Sequence, residues 1–174
     1  MSRHRVLFDE VIRENEDDLL RYFQRRLTNS ADAAEAFGEF LLTAWKISRR
    51  MPTDRVEARM WLFGVAHKVL STARRTLARR SAALERFMGE MSTVEQSPPD
   101  DSSFEIRDAI NRLADADAEL VRLVYWDGLR SHEAAAALGI NPSTARSRLS
   151  KAKQQLRAAL EAPDPELIRS RGPD

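Results

Sequence analysis

Apolar residues recur at spacings of three and four along most of this 174-residue chain, the period of helices resting on a core. No segment shows the two-residue alternation of a half-buried strand. Val6 to about Arg13 and Asp18 to about Leu27 read as two short helices. A third opens at Ser30, whose hydroxyl suits an N-cap, with acids in its first turns. Its buried stripe is Ala33, Phe37, Phe40, Ala44 and Ile47, widened by Leu41 and Trp45, while Asp32, Glu35, Glu39 and Thr43 lie opposite. A loop around Met51-Pro52-Thr53-Asp54 leads into a long helix from about Val56 to about Ala83. Leu62, Val65, Ala66, Val69, Ala73 and Leu77 form its apolar stripe, and Lys68, Thr72, Arg75 and Arg79 line the other side.

A second helical unit follows. Ile106, Ile110 and Leu113 share one face; Leu120, Leu123 and Val124 share the next, which stops at Asp127-Gly128, where glycine can turn left-handed. Ser131 to Leu138 is a short helix, and Gly139-Ile140-Asn141 a tight turn. Asn141 is a strong N-cap and Pro142 suits the first helical position. The last helix runs to about Leu160, with Ala145, Leu149, Ala152, Leu156 and Leu160 inward and Arg146, Ser147, Ser150, Lys151 and Gln154 outward. The expected fold is all-α: two small helical domains joined by a flexible acidic linker. The divisions expected are 1–84, a linker 85–105, a second domain 106–162 and a tail 163–174.

Charge sharpens this picture. The net charge is only +1, yet it is unevenly spread. Residues 1–84 hold 16 basic and 11 acidic groups; residues 85–105 hold one basic and six acidic; residues 106–174 hold 11 and 10. The middle segment also carries Gly89, paired prolines and little to bury, as a tether should. Two stretches contain no acid at all: Ala58–Leu84, with Arg59, Lys68, Arg74, Arg75, Arg79 and Arg80, and Ala134–Leu160, with Arg146, Arg148, Lys151, Lys153 and Arg157. One such stretch is as compatible with a solvated face as with a ligand. Two, each on a helix, favour a polyanionic partner.

Composition excludes several classes. With no cysteine there is no disulfide scaffold, thiolate zinc site or thiol enzyme. His4, His67 and His132 are isolated, with no second ligand at metal spacing. No Ser/His/Asp order, phosphate loop or Gly-rich dinucleotide turn occurs, so neither an enzyme nor a cofactor is expected. No apolar run reaches the ~18 residues of a membrane span. The basic start meets Asp9 and Glu10 too soon for a signal peptide, so the expected compartment is the cytoplasm. Trp45 and Trp61 adjoin apolar stripes and are expected in the core.

The short helix, glycine turn and second helix with an outward basic face form a helix-turn-helix pattern. In such a motif the first helix props the second against the duplex. The N-terminal part of the second enters the major groove, where Arg can fork onto guanine and Ser can reach a base edge or phosphate.

Leu129-Arg-Ser-His-Glu133-Ala-Ala-Ala-Ala-Leu138-Gly139-Ile140-Asn-Pro-Ser-Thr144-Ala-Arg146-Ser147-Arg148-Leu149-Ser-Lys151-Ala152-Lys153 resembles the C-terminal domain of bacterial sigma factors, most closely the extracytoplasmic-function group. Leu123-Val-Tyr125-Trp-Asp-Gly128-Leu129 is similar to that family's lead-in. Asp32-Ala-Ala-Glu35-Ala-Phe-Gly-Glu39-Phe-Leu-Leu-Thr-Ala44-Trp45 resembles its polymerase-binding helix. Trp61-Leu62-Phe63-Gly-Val65-Ala66-His-Lys-Val69 followed by Arg74-Arg75 resembles its promoter-reading helix. The resemblance spans about residues 6–160, with two separate motifs in order.

The resemblance implies a dissociable specificity subunit of RNA polymerase. The first domain would bind core polymerase through Asp32, Glu35 and Glu39. It would read and open the minus-ten promoter element with the Ser48–Glu57 loop and with His67, Lys68, Ser71, Thr72, Arg74 and Arg75. The second domain would set Arg146, Ser147, Ser150 and Lys151 in the minus-thirty-five element, with Arg148 and Lys153 nearer the backbone. The acidic linker would thread the channel that later carries RNA. An anti-sigma factor is the further partner implied. The chain departs from the family pattern at Gly38, where Gln is usual, and at Gly64, where a basic residue is common. Lys68 and Thr72 stand in place of Asn and Asp, and Ala134–Ala137 in place of bulkier residues. A stand-alone helix-turn-helix regulator is the alternative; it would leave the acidic face at 32–43 idle. A protein–protein module held by an inhibitor is a third.

Overall fold

The computed structural model describes residues 3–88 and 101–161, and among them every regular element is helical. Helix α1 is Arg3–Gln24, α2 is Ser30–Lys46 and α3 is Arg55–Met88, with a 3-10 turn at Ser48–Arg50 between α2 and α3. Helices α4 (Asp101–Asn111), α5 (Asp115–Tyr125), α6 (Ser131–Leu138) and α7 (Pro142–Glu161) follow. The all-α expectation holds. Most of the expected linker, the 89–100 part, and the tail from Pro163 lie outside the described residues.

Two local expectations are corrected. The two short helices expected at Val6–Arg13 and Asp18–Leu27 are one continuous helix. The polar stretch Glu14-Asn15-Glu16-Asp17 contains no Gly or Pro to stop it, and Asn15 is turned inward rather than to a break. Its side chain donates to the Val11 carbonyl at 2.8 Å and accepts from Arg59 at 2.5 Å. The N-cap of α2 is Asn29, whose Oδ1 accepts from the Ala31 N–H at 2.7 Å; Ser30 is already helical. Asp54 caps α3 in the same way, accepting from the Glu57 N–H at 2.9 Å. The Asp101–Ser103 end of the expected linker is helical as well.

The stripes bury as the spacing predicts near the middle of each helix. Ala33, Ala36, Phe40 and Ala44 of α2 meet Leu62, Phe63, Ala66 and Leu70 of α3 and Leu19, Tyr22 and Phe23 of α1 in one core. Edge-to-face contacts fix the aromatic rings: Tyr22 with Phe63 at 5.7 Å and Phe23 with Phe37 at 6.3 Å between centroids. Trp61 packs on this core. Trp45 does not: it is 51% exposed, with the Arg5 guanidinium 5.7 Å from its ring. It sits one position past the buried Ala44, which turns it about 100° off the stripe. Leu160, expected inward, is exposed, as is Ile106, which the spacing puts on one face with Ile110 and Leu113.

The second bundle packs around Ile110, Leu120, Leu123, Ala145 and Leu149. It is not separate from the first. Helix α6 lies along α3, and the apolar clusters of the two bundles run together. Gly64 makes the approach possible: a Cβ there would stand 3.3 Å from the Ala137 carbonyl oxygen, so backbone meets backbone. Ala134, Ala135 and Ala137 are buried on α6. Their small size suits a helix sandwiched this tightly.

Beside this contact lies a buried ionic cluster. Arg26 has no exposed side-chain surface. Its Nε donates to both carboxylate oxygens of Glu119 at 3.0 and 3.1 Å, its Nη2 to Asp127 at 2.7 Å and its Nη1 to the Tyr22 carbonyl at 3.1 Å. The guanidinium also lies 3.7 Å from the centre of the Tyr22 ring, while the Tyr22 hydroxyl donates to Glu119 at 3.1 Å. Burial, reinforced by the Glu119 charge, pushes the Tyr22 hydroxyl well above its usual range. Burial raises the Asp127 carboxyl too, against the opposing pull of Arg26. Arg25 donates to the Trp126 carbonyl and Arg59 to the Asp127 carbonyl at 3.2 Å. The cations thus come chiefly from the segment just after α1 and from α3, and the carboxylates from the α5 region.

Two expectations follow. Gly38 lies inside α2, and a Cβ there would meet nothing within 4 Å. Gly38→Ala should therefore add about 0.5–1 kcal/mol of stability. In a thermal melt that is a rise of a few degrees, at about 2–4 °C per kcal/mol for a chain of this size; no rise would show that the site needs glycine. His67 supplies the second. Its Nδ1 is buried and finds no hydrogen-bond partner among the described residues. Burial holds its pKa below 6.5; Glu119 pulls upward and Arg26, Arg74 and Lys68 push further down. The folded chain then binds fewer protons than the unfolded one, so stability falls as pH drops below about 6.5 through the folded value. Urea titrations at pH 7.5 and 5.5 should show this loss, and His67→Gln should reduce it.

Candidate nucleic-acid interface

Each feature of the helix-turn-helix has a local cause. Glu133 starts α6 by reaching back to accept from the Arg130 N–H at 2.7 Å. Gly139 ends it in the left-handed region at φ 67°, and the Ile140 N–H closes onto the Ala135 carbonyl at 2.9 Å. Asn141 then caps α7, accepting from the Ser143 N–H at 2.9 Å and from its hydroxyl at 2.7 Å. Ala145, Leu149 and Ala152 seat α7 on α4, α5 and α6. That seating presents Arg146, Ser147, Ser150, Lys151 and Lys153 to solvent.

The six expected minus-thirty-five residues divide into two groups. Arg146, Ser147, Ser150 and Lys151 are exposed on the outer face of α7. Arg148 leans toward α5, 3.9 Å from Asp117, and the Lys153 ammonium lies 5.5 Å from the Tyr125 ring. These two flank the outer face. Among the described residues no contact of α7 with α1, α2 or α3 covers that face.

The six expected minus-ten residues are not brought together on one surface. Lys68 and Thr72 line a groove of about 440 Å³ between α2 and α3. Its other wall is Asp32, Glu35, Glu39 and Thr43, and Ala36, Val69, Ala73 and Leu77 are among the apolar residues lining it. The acidic row of α2 and the polar row of α3, which the helical period puts on outward faces, thus look at one another. Arg80 bridges toward Glu35 at 3.8 Å. Ser71 and Arg75 are exposed, with the Arg75 guanidinium folded back on the Ser71 carbonyl at 3.3 Å. His67 is turned to the second bundle, 4.0 Å from Glu119. Arg74 reaches the Arg26 carbonyl at 3.5 Å.

The Ser48–Glu57 loop is tied down at both ends. Met51 is buried, and Arg55 pairs with Glu10 at 3.3 Å and with Glu14 on α1. Two features go beyond the sequence expectations. Leu42 and Trp45 form an exposed apolar edge on α2 outside the groove. Their spacing of three, offset from Phe40 and Ala44, is the signal that separates them from the buried stripe. The ionic cluster around Arg26 leaves no such trace, because its members are 93 and 101 positions apart. Among the described residues no helix is long and apolar enough to cross a membrane.

Comparison with known proteins agrees with this geometry. Residues 103–156 match the family model for sigma-70, region 4. The chain is 32% identical over 169 residues to the ECF RNA polymerase sigma factor SigL of Mycobacterium tuberculosis, covering 90% of this chain and 88% of that one. It is 28% identical to the RNA polymerase sigma-E factor of Streptomyces coelicolor, with the same coverage of 90% and 88%. Two solved structures share the fold. CnrH, in complex with the cytosolic domain of CnrY, superposes with a TM-score of 0.65 at 21% identity over 90% of this chain and 89% of that one. The sigma factor RpoE of Bartonella quintana, in complex with the anti-sigma factor NepR, gives 0.64 at 20% identity over 90% and 98%. With the likeness running over nine-tenths of its length, the chain belongs to the extracytoplasmic-function sigma factors of RNA polymerase.

Proposed function

We propose that this chain binds core RNA polymerase through α2 and gives it promoter specificity through α7 and α3. The observation that carries the reading is the likeness to a sigma factor over 90% of this chain, joined to a basic outer face on α7 that no other described residue covers. Arg146, Ser147, Ser150 and Lys151 are the residues assigned to base edges and nearby phosphates of the minus-thirty-five element. Arg148 and Lys153, at the flanks of that face, are assigned to the backbone. On the first domain, Asp32, Glu35 and Glu39 are assigned to the polymerase, with the exposed Leu42 and Trp45 adding apolar contact beside them. Lys68, Ser71, Thr72, Arg74, Arg75 and His67 are assigned to the minus-ten element, together with the Ser48–Glu57 loop. The domain divisions that go with this are 1–84 and 106–162.

Opening the duplex in this scheme needs no chemistry by the chain itself. Bases flipped into protein pockets offset an unstacking cost of a few kcal/mol each. The site of action is the cytoplasm, where the chromosome and polymerase are. An anti-sigma factor is the proposed restraint, since one structural neighbour was captured with an anti-sigma factor and the other with the cytosolic domain of CnrY. A stand-alone regulator is not favoured, because it would leave α2 and its acidic row without a task.

The direct test is transcription in vitro with core polymerase on a library of genomic promoters. Promoter-specific transcripts and a stable complex with core are expected; the reading fails if neither appears. Glu35→Lys and Glu39→Lys should each weaken the complex with core by roughly tenfold, as a reversed contact charge costs more than about 1.4 kcal/mol. Unchanged affinity for core would remove those two acids from the interface. In the holoenzyme, Arg146→Ala should cost roughly 1–3 kcal/mol and relax selection at one promoter position. An equal loss on every sequence would reassign Arg146 to a phosphate.

A further inference from the structure

Helix α3 outruns the bundle that it belongs to. Ala78 to Leu84, Arg86 and Phe87 are all exposed, so no described element packs on its last turns. Leu84 and Phe87 add nothing to a core, being 58% and 93% exposed. Helices in proteins are held chiefly by packing, and these turns receive none from the described residues. What they carry is charge. At 3.6 residues per turn, Arg75, Arg79 and Arg86 fall within about 40° of one another on one side of α3. Arg80 is on another side, where it reaches toward Glu35 across the groove. Arg75 is folded onto the Ser71 carbonyl, and none of the three joins an ion pair among the described residues. The result is a row of exposed guanidiniums with no described acid set against it.

The length of the row suits a duplex. Arg75 and Arg86 are about 16 Å apart along the helix axis at 1.5 Å per residue, or about five base pairs at 3.4 Å each. Its place on a promoter follows from the order of the chain. The Ser48–Glu57 loop at the start of α3, and His67 to Arg75 in its middle, are the parts assigned to the minus-ten element. Beyond α3 the chain goes on to the bundle assigned to the minus-thirty-five element. The C-terminal end of α3 is thus on the upstream side of the minus-ten contacts. We propose that Arg79 and Arg86, continuing from Arg75, grip the phosphate backbone of about five base pairs of spacer duplex just upstream of the minus-ten element. Phosphate contacts carry no sequence information and fix register and orientation. Here they would hold the duplex still on one side of the bases that open. The inference rests on the sigma-factor reading for where the DNA lies, not for the arginine row itself.

The test uses the full chain with core polymerase on a promoter duplex, and compares it with a double variant, Arg79→Ala with Arg86→Ala. Two lost phosphate contacts should flatten the slope of log affinity against log salt by about 1.8. Between about 50 and 200 mM salt the unmodified holoenzyme should then lose about tenfold more affinity than the variant. Uncharged methylphosphonates in the spacer, over the about five base pairs next to the minus-ten element, should cost the unmodified holoenzyme about tenfold and the variant little, whatever the spacer sequence. Arg79→Lys with Arg86→Lys should keep most of the slope, because lysine also meets phosphate as a point charge. Both positions are exposed, and helical circular dichroism checks that the variants fold. The proposal is overturned if the alanine variant keeps the full slope, if both proteins respond equally to the methylphosphonates, or if the lysine variant behaves like the alanine one. It is overturned too if the alanine variant loses affinity for core, which would place the two arginines on polymerase. A holoenzyme that selects no promoter at all sinks the sigma-factor reading; a selective one indifferent to Arg79 and Arg86 removes the phosphate grip alone.

Discussion

A single guanidinium, that of Arg26, decides how the rest of the molecule is arranged. It is fully buried, and a charge in that position is tolerable only when its donors are met by acceptors of opposite sign. The acceptors come from the far half of the chain, in Glu119 and Asp127. The pairing therefore ties the orientation of the second bundle to the end of α1. The alanine-rich face of α6 and the missing side chain at Gly64 then let the two bundles close without a gap. Ionic and steric features at one seam reinforce one another: the charges fix the register, and the small residues supply the close fit.

The same seam takes one of the residues proposed for the minus-ten element, His67, which faces Glu119. Polar residues of α3 divide among the groove shared with α2, the solvent and the second bundle. A helix 34 residues long has more than one face to offer, and each neighbour claims one. Helix α7, by contrast, has all of its neighbours among the described residues on one side, which leaves its outer face whole there. The outer face of α7, proposed for the minus-thirty-five element, is built by the second bundle. The residues of α3 proposed for the minus-ten element are divided among different surroundings.

This contrast also separates what the order of residues reveals from what it conceals. The cap, the glycine stop and the inward triad of Ala145, Leu149 and Ala152 are local signals, separated by a few residues, and they place α6 and α7 closely. The buried centres of α2 and α3 are legible for the same reason. Asn15 misleads because a polar residue in a polar run looks like a break, and one of its two partners, Arg59, is 44 positions away. Trp45 misleads because one position around a helix separates core from surface. Arg25, Arg26 and Arg59 read as surplus positive charge when counted along the chain, although each is engaged by an acceptor near Trp126 and Asp127. Charge counting sees sign but not pairing.

The unbroken course of α1 has a mechanical consequence. Its 22 residues make a rod of about 33 Å at 1.5 Å per residue. About its middle, Glu10 and Glu14 hold Arg55 and with it the segment that precedes α3. Just past its C-terminal end sit Arg25 and Arg26. Had the helix broken at Asn15, these two attachments could have swivelled independently. Joined by continuous backbone hydrogen bonds, they move as one lever, so a pull on the loop at the middle of the rod is delivered at its C-terminal end.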